Sequence, residues 1–181
     1  MPLTVVVAKY KEDVSWTGEL HDQNEYHIKV YDKEHDYPNV GREAETYLRF
    51  ILENYDNIPE YTAFVQGHPF DHFEKHIFLS HLKNYKTCKS LITLFEGDLS
   101  TNITFSIGAQ FIVQRENILY RPKWFYEKIY NVLVRENPQS YGLTNTKCLV
   151  CPWSLERLWL YIFDKNLHHR VFEEDDLIFK N

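Results

Sequence analysis

The run Leu3-Thr4-Val5-Val6-Val7-Ala8 is uncharged and β-branched from Thr4 to Val7, so it lacks the polar and apolar alternation of a strand with one wet face. Such a strand is buried on both sides, which in a globular chain points to a parallel sheet with helices packed on it. The following segments keep the same rhythm. Val14 to Leu20 reads as a short helix after Asp13, and Tyr26 to Tyr31 as a second strand. Asn39-Val40-Gly41-Arg42-Glu43 opens a helix whose apolar positions Ala44, Tyr47, Leu48, Ile51 and Leu52 fall on one face. Tyr61 to Val65 is the third strand. A helix over residues 73–85, short strands near Leu91 to Phe95 and Ala109 to Val113, and helices near Lys123 to Val134 and Ser154 to Phe163 complete the pattern. Strand, helix, strand, helix, strand at the amino end predicts right-handed crossovers. The expected fold is therefore α/β, a single domain with a mainly parallel twisted sheet flanked by helices.

Composition narrows the function classes. A length of 181 residues suits one domain that buries roughly two thirds of its unfolded surface. The formal charge of −6 denies the chain the basic surface that nucleic acid or an anionic membrane requires. Leu3 to Ala8, followed by Lys9, Lys11, Glu12 and Asp13, is too short for a signal-peptide core or a membrane span, so a cytoplasmic chain is expected. The same features suit a catalytic piece of a longer multidomain protein. Cys148 and Cys151 form a CxxC pair and Cys88 stands apart, an odd set that reads as reduced thiols. A structural zinc site needs a second ligand pair at matched spacing, and the sequence has none. The 13 Tyr, 12 Phe and 4 Trp are enough to fill a core and leave rings for a pocket that stacks on a base or a sugar. No GxGxxG follows the first strand, which argues against a nicotinamide enzyme.

In open α/β sheets, ligands bind beyond the carboxyl ends of the strands. Three segments should meet there: Lys9-Tyr10-Lys11 after the first strand, Tyr31-Asp32 at the end of the second, and Gln66-Gly67-His68-Pro69-Phe70-Asp71-His72 after the third. Asp32 is placed to accept hydrogen bonds from a base or ribose, and Lys9, Lys11 or Arg42 to neutralise a diphosphate. Each alone reads equally well as a solvated surface group, and only their convergence points to a ligand.

The order of these residues resembles the type-A glycosyltransferases. Thr4-Val5-Val6-Val7-Ala8-Lys9-Tyr10-Lys11-Glu12 is similar to that family's valine-rich opening strand and base-binding turn. Asn39-Val40-Gly41-Arg42-Glu43-Ala44 is similar to its asparagine-x-glycine segment at the head of the next helix, and Glu60-Tyr61-Thr62-Ala63-Phe64-Val65 to the strand that carries its metal motif. NxGREAxxYL from Asn39 to Leu48, Gly-Ala-Gln-Phe-Ile-Val-Gln-Arg-Glu from Gly108 to Glu116, Arg121-Pro122 with Phe125-Tyr126, and Leu155-Glu156-Arg157-Leu158-Trp159 with Tyr161-Ile162-Phe163 carry a likeness over most of the chain. By these motifs the chain more closely resembles a second family, domain of unknown function 3431. The second family brings no chemistry, so the functional expectation comes from the first. It implies transfer of a sugar from a nucleotide-sugar donor, a UDP-sugar being expected, to a glycan or other hydroxyl acceptor. Ala8, Lys9, Tyr10, Asp32, Arg42 and Gln66 are then the expected donor-binding residues. Residues 1–72 form the expected nucleotide-binding half and residues 73–181 the acceptor-binding half.

Type-A enzymes usually hold a divalent ion through Asp-x-Asp at the end of the metal-binding strand, where this chain has Gln66-Gly67-His68. The ion acts as a Lewis acid on the leaving diphosphate. Here His68, Asp71 and His72 are the expected ligands, a mixture of imidazole and carboxylate that suits manganese better than magnesium. The other reading has these histidines closing a loop and packing on Phe70 and Phe73. The resemblance also implies a carboxylate base near the start of a late helix, at Glu156 in Trp153-Ser154-Leu155-Glu156-Arg157. The rival role for Glu156 is an ion pair with Arg157 or Arg115. Trp153 and Trp159 are candidates to stack on an acceptor sugar, although Trp159 shares helical spacing with Leu155, Leu158 and Ile162 and so reads as core. Glu173 to Asp176 reads as a solvated acidic run. Two alternatives stay open. A metal hydrolase would use His68, His72 and His76, although the helical pair lacks the central acid of HExxH. A non-catalytic module that binds a nucleotide or sugar would account for the missing Asp-x-Asp.

Overall fold

The computed structural model describes residues 1–71, 74–87, 91–93, 96–99, 103–136 and 152–164. Strands β1 (Leu3–Lys9), β2 (Tyr26–Asp32) and β3 (Tyr61–Gln66) pair in parallel with β1 in the middle, Val5 lying between Ile28 and Ala63. A 3-10 turn over Ser15–Glu19 joins β1 to β2, and helix α1 (Arg42–Asn54) joins β2 to β3. Helix α2 (Lys75–Lys83) leads to β4 (Leu91–Thr93), then to a hairpin of β5 (Glu96–Leu99) and β6 (Ile103–Ser106), and then to β7 (Phe111–Gln114). Helices α3 (Arg115–Leu119), α4 (Lys123–Glu136) and α5 (Pro152–Phe163) follow. The main sheet has the order β2-β1-β3-β7-β4. Among the described residues no helix is long and apolar enough to cross a membrane. The cysteines and the acidic run Glu173 to Asp176 lie outside the described residues.

The expected mainly parallel sheet needs a correction, because β7 runs antiparallel to both β3 and β4 and the sheet is mixed. The cause lies just before the strand. Gly108 and Ala109 adopt left-handed φ values of 69° and 52°, and the chain enters β7 at Phe111, opposite Phe64 near the carboxyl end of β3. A strand that starts at that end of its neighbour can only run back along it. For the same reason the strand expected from Ala109 begins later, at Phe111.

The unbroken apolar run of β1 is explained by two cores. Leu3, Val5 and Val7 join Ala63, Val65 and Ile112 beneath Trp16 and the α2 residues Phe78 and Leu82. Val6 faces the other way, with Phe64 and Phe111, against Tyr47 and Leu48 of α1 and Trp159 of α5. Alternate strand positions thus feed opposite layers, and each fully buried apolar side chain contributes roughly 1.5–3 kcal/mol.

Gly41 fixes where α1 starts. Its φ is 62°, and a Cβ there would stand 2.8 Å from the Glu45 Cβ and 2.9 Å from Leu133 Cδ2. Gly41→Ala is expected to lower the unfolding free energy by about 1–3 kcal/mol in a urea titration, from left-handed strain plus overpacking. An unchanged midpoint would contradict this account of the helix start. Arg42 is left-handed too, with φ 51°. It is held by the buried Lys33 ammonium, which donates to the carbonyls of Val40 at 2.7 Å and Arg42 at 2.5 Å and pairs with Glu45 at 2.9 Å.

Candidate functional site

Strand register sets Lys9 beside Asp32 and Ala8 beside Gln66, so the carboxyl ends of β1, β2 and β3 form one edge. Other elements reach the same edge. The Lys33 amide donates to the Lys9 carbonyl at 2.9 Å while the Lys33 side chain holds the Arg42 carbonyl, which keeps the head of α1 close to Lys9 and Asp32. Gly108 comes there with the start of β7, and its N–H donates to Glu156 Oε1 of α5 at 2.8 Å. Ala8, Lys9, Tyr10, Asp32, Arg42, Gln66 and Glu156 are thereby brought to one side of the sheet from both halves of the sequence.

At the β1/β2 corner the Lys9 ammonium forms an ion pair with the Asp32 carboxylate. Asp32 also accepts from the Glu34 N–H at 2.9 Å and faces His35 Nδ1 at 3.2 Å. The Lys9 bond, followed by the Glu34 amide, holds the Asp32 carboxyl well below the usual carboxylate range, and Asp32 in turn raises Lys9. The sequence gives these two residues separate duties toward a ligand, whereas in the structure they neutralise each other. Asp32, Glu34 and His35 place ligand atoms within 4.8 Å of one another, a grouping the sequence reading does not single out. The Tyr10 N–H donates to the Glu12 carboxylate, and Lys11 lies 5.1 Å over the Tyr10 ring. Trp16 Nε1 donates to the Gly67 carbonyl at 2.9 Å, which ties the segment after β1 to the end of β3.

Beyond β3, His68 Nε2 lies 3.6 Å from Asp71 Oδ1, with both side chains more than half exposed. The His68 ring also packs edge-on against Phe70 at 5.3 Å, as the loop-closing reading expects. His72 lies outside the described residues. The grouping of three possible metal ligands among the described residues is Asp32, Glu34 and His35, and it does not include this pair.

The junction of α1 and α5 is more enclosed. Arg42 Nε lies 3.6 Å from Glu43, and its guanidinium stacks 4.7 Å over Trp153. Glu43 is 8% exposed, and burial pushes its carboxyl above its ordinary value; the Glu156 charge adds to the rise, and Arg42 and Lys33 oppose it. Tyr47 is fully buried and its hydroxyl makes no hydrogen bond among the described residues. Arg115, one suggested partner for Glu156, turns instead to Glu60 at 3.8 Å and to the Ile58 carbonyl at 2.6 Å. Arg157 donates to the Trp153 carbonyl at 2.7 Å. Trp153 is exposed and Trp159 is core, stacked on Phe163 at 5.7 Å.

Glu43 and Tyr47 are absent from the sequence-based candidates. Their signal is a carboxylate and a hydroxyl at i and i+4 on a helix whose buried residues also include Glu45 and Thr46. Lys33 gave no signal beyond one lysine in a loop. Because the native Glu43 pKa lies above the unfolded value of 4.5, the stability that this carboxyl contributes when protonated is lost as pH rises through the native value. Glu43→Gln is therefore expected to melt with wild type near pH 4 and above it at pH 8. A difference that does not change with pH would show that the Glu43 carboxyl titrates as if in water.

No curated protein and no solved structure matches the chain. A family model does match, over residues 5–91 and 74–175, and by that match the chain belongs to the family described as protein of unknown function (DUF3431).

Proposed function

We propose that the protein binds a nucleotide-sugar, a UDP-sugar in the first instance, along the carboxyl edge of β1, β2 and β3 and transfers the sugar to a glycan or other hydroxyl acceptor. The observation that carries this reading is the gathering of Lys9, Asp32, Arg42, Gln66 and Glu156 at one edge. Ala8, Tyr10 and Gln66 flank the base, and Asp32 takes the ribose. Arg42 stands at the amino end of α1, where helix amides and the helix dipole favour a phosphate. Arg42→Ala in folded protein is expected to weaken UDP affinity about tenfold, the loss of one charged hydrogen bond. His68 and Asp71, with His72 beside them in the sequence, would hold the divalent ion, which when bound neutralises the leaving diphosphate.

Glu156 acts on the acceptor. Its Oε1 is held by Gly108, leaving Oε2 to take the proton from the acceptor hydroxyl. As that O–H bond breaks, the oxygen bonds to the anomeric carbon, and the bond from that carbon to the diphosphate breaks with its electron pair leaving on phosphate.

Gln66-Gly67-His68 at the end of β3, in place of Asp-x-Asp, favours a second reading, in which the same edge binds a nucleotide or sugar without turnover. Calorimetry with UDP, with manganese present or removed, separates the two. Metal-dependent UDP binding followed by donor turnover supports transfer. UDP binding without turnover supports the module, and no UDP binding contradicts both.

A further inference from the structure

Exposed apolar side chains gather at one corner of the molecule. Seven large ones are exposed among the described residues, and three of them, Leu119, Tyr120 and Trp124, fall within one short stretch of chain. A turn closed by the Phe125 N–H on the Pro122 carbonyl at 3.0 Å keeps Trp124 close to Tyr120. Leu119 and Tyr120 also line a groove of about 480 Å³, together with Glu60, Arg115 and Glu116. The Arg115 N–H donates to the Glu60 carbonyl at 3.0 Å, which sets this groove at the amino end of β3. Arg115 commits its Nε to Glu60 and to the Ile58 carbonyl, and its Nη pair makes no bond among the described residues. Glu116 stands next to it, exposed, with a carboxylate that has no partner among the described residues. An apolar corner held in water beside a cation and an anion that do not pair marks a contact surface.

We propose that a second copy of the chain docks on this corner, in a twofold pair that buries Leu119, Tyr120 and Trp124 of both copies and sets the Arg115 Nη pair of each against the Glu116 carboxylate of the other. A twofold interface brings one patch against itself, so the patch must carry both charges. Adjacent residues of opposite sign meet that requirement, whereas a strongly acidic or strongly basic partner would satisfy one of them and repel the other. The planar guanidinium fork matches a carboxylate at such a contact. Aromatic rings at the centre with charges at the rim are the usual make-up of an interface between folded chains. The groove beside the rings is open to side chains of the facing copy. Because the corner lies at the amino end of β3, the pairing leaves the carboxyl edge free and is independent of the donor reading.

The test is sedimentation velocity of the full chain over a dilution series. Wild type is expected to pass from monomer to dimer as concentration rises. Trp124→Ala and Glu116→Arg are each expected to raise the dimer dissociation constant about tenfold or more, the first by removing a central aromatic ring and the second by setting like charges face to face. Both side chains are exposed, so both variants are expected to melt with wild type. Arg115→Glu is expected to weaken the dimer in the same way. An equimolar mixture of Arg115→Glu with Glu116→Arg is expected to recover it, because each acid of one copy then meets an arginine of the other. Should Arg115→Glu melt low through loss of its bond to Ile58, the two exposed-site variants decide the matter alone. A monomer at every concentration, a wild-type dissociation constant in either Trp124→Ala or Glu116→Arg, or a folded mixture that stays monomeric would each overturn the pairing.

Discussion

Glu156→Gln is expected to lower sugar transfer by roughly 10²-fold or more while UDP affinity stays at the wild-type value. Glutamine keeps the size of the side chain, and its carbonyl oxygen can still accept from the Gly108 N–H, so the 2.8 Å tie between α5 and the turn before β7 survives. What it loses is the ability to take a proton. The donor contacts proposed at the ends of β1, β2 and β3 and at the head of α1 do not include Glu156, which is why binding and turnover should separate. A second signature follows from electrostatics. Burial is the main cause of the raised pKa of both Glu43 and Tyr47, and the Glu156 charge adds a smaller rise, so both should fall slightly in the variant. Wild-type turnover in folded Glu156→Gln would remove it as the base.

Lys33→Met is expected to lower the unfolding free energy by about 3–5 kcal/mol, the usual effect of removing one member of a buried ion pair. The side chains of Lys33 and Glu45 are 3% and 0% exposed. Burial outweighs the attraction of Glu45 and lowers the Lys33 pKa, so the pair adds little net stability. Its role is to fix the segment between β2 and α1, whose carbonyls at Val40 and Arg42 lose their donor in the variant. Glu45 would keep Arg49, at 2.5 Å, and the Tyr130 hydroxyl, at 3.0 Å. Replacing Lys33 and Glu45 together with Met and Leu should therefore cost less than Lys33→Met alone, since no carboxylate is left buried without its ammonium. Urea unfolding of the three proteins checks this; a loss under about 1 kcal/mol for Lys33→Met would mean the segment does not depend on the pair.

The first three strands and α1 were legible because a buried parallel strand and an amphipathic helix each impose a period on the sequence. The direction of β7 was not. Phe111, Ile112 and Val113 are apolar whichever way the strand runs, and direction is decided by Gly108 and Ala109, where an alanine in the left-handed region leaves no mark in composition. The strand-end rule found Lys9, Asp32 and Gln66, but it could not show that Lys9 and Asp32 pair, because register belongs to two strands and is written in neither. Tyr47 was counted as core, and it is fully buried, but no pattern in the sequence shows that its buried hydroxyl lacks a hydrogen-bond partner among the described residues. Glu156 came from resemblance, and its bond to Gly108 spans a separation that no local pattern records.

The central claim is that a nucleotide diphosphate occupies the carboxyl edge of the parallel strands. The most direct measurement is an amide NMR map of the full chain titrated with UDP, followed by traces of manganese. Shifts at Lys9, Tyr10, Asp32, Arg42 and Gln66 are expected, with paramagnetic broadening strongest at His68 and Asp71. Shifts confined to the groove at the amino end of β3, lined by Glu60, Arg115 and Tyr120, or no shifts at all, would contradict it.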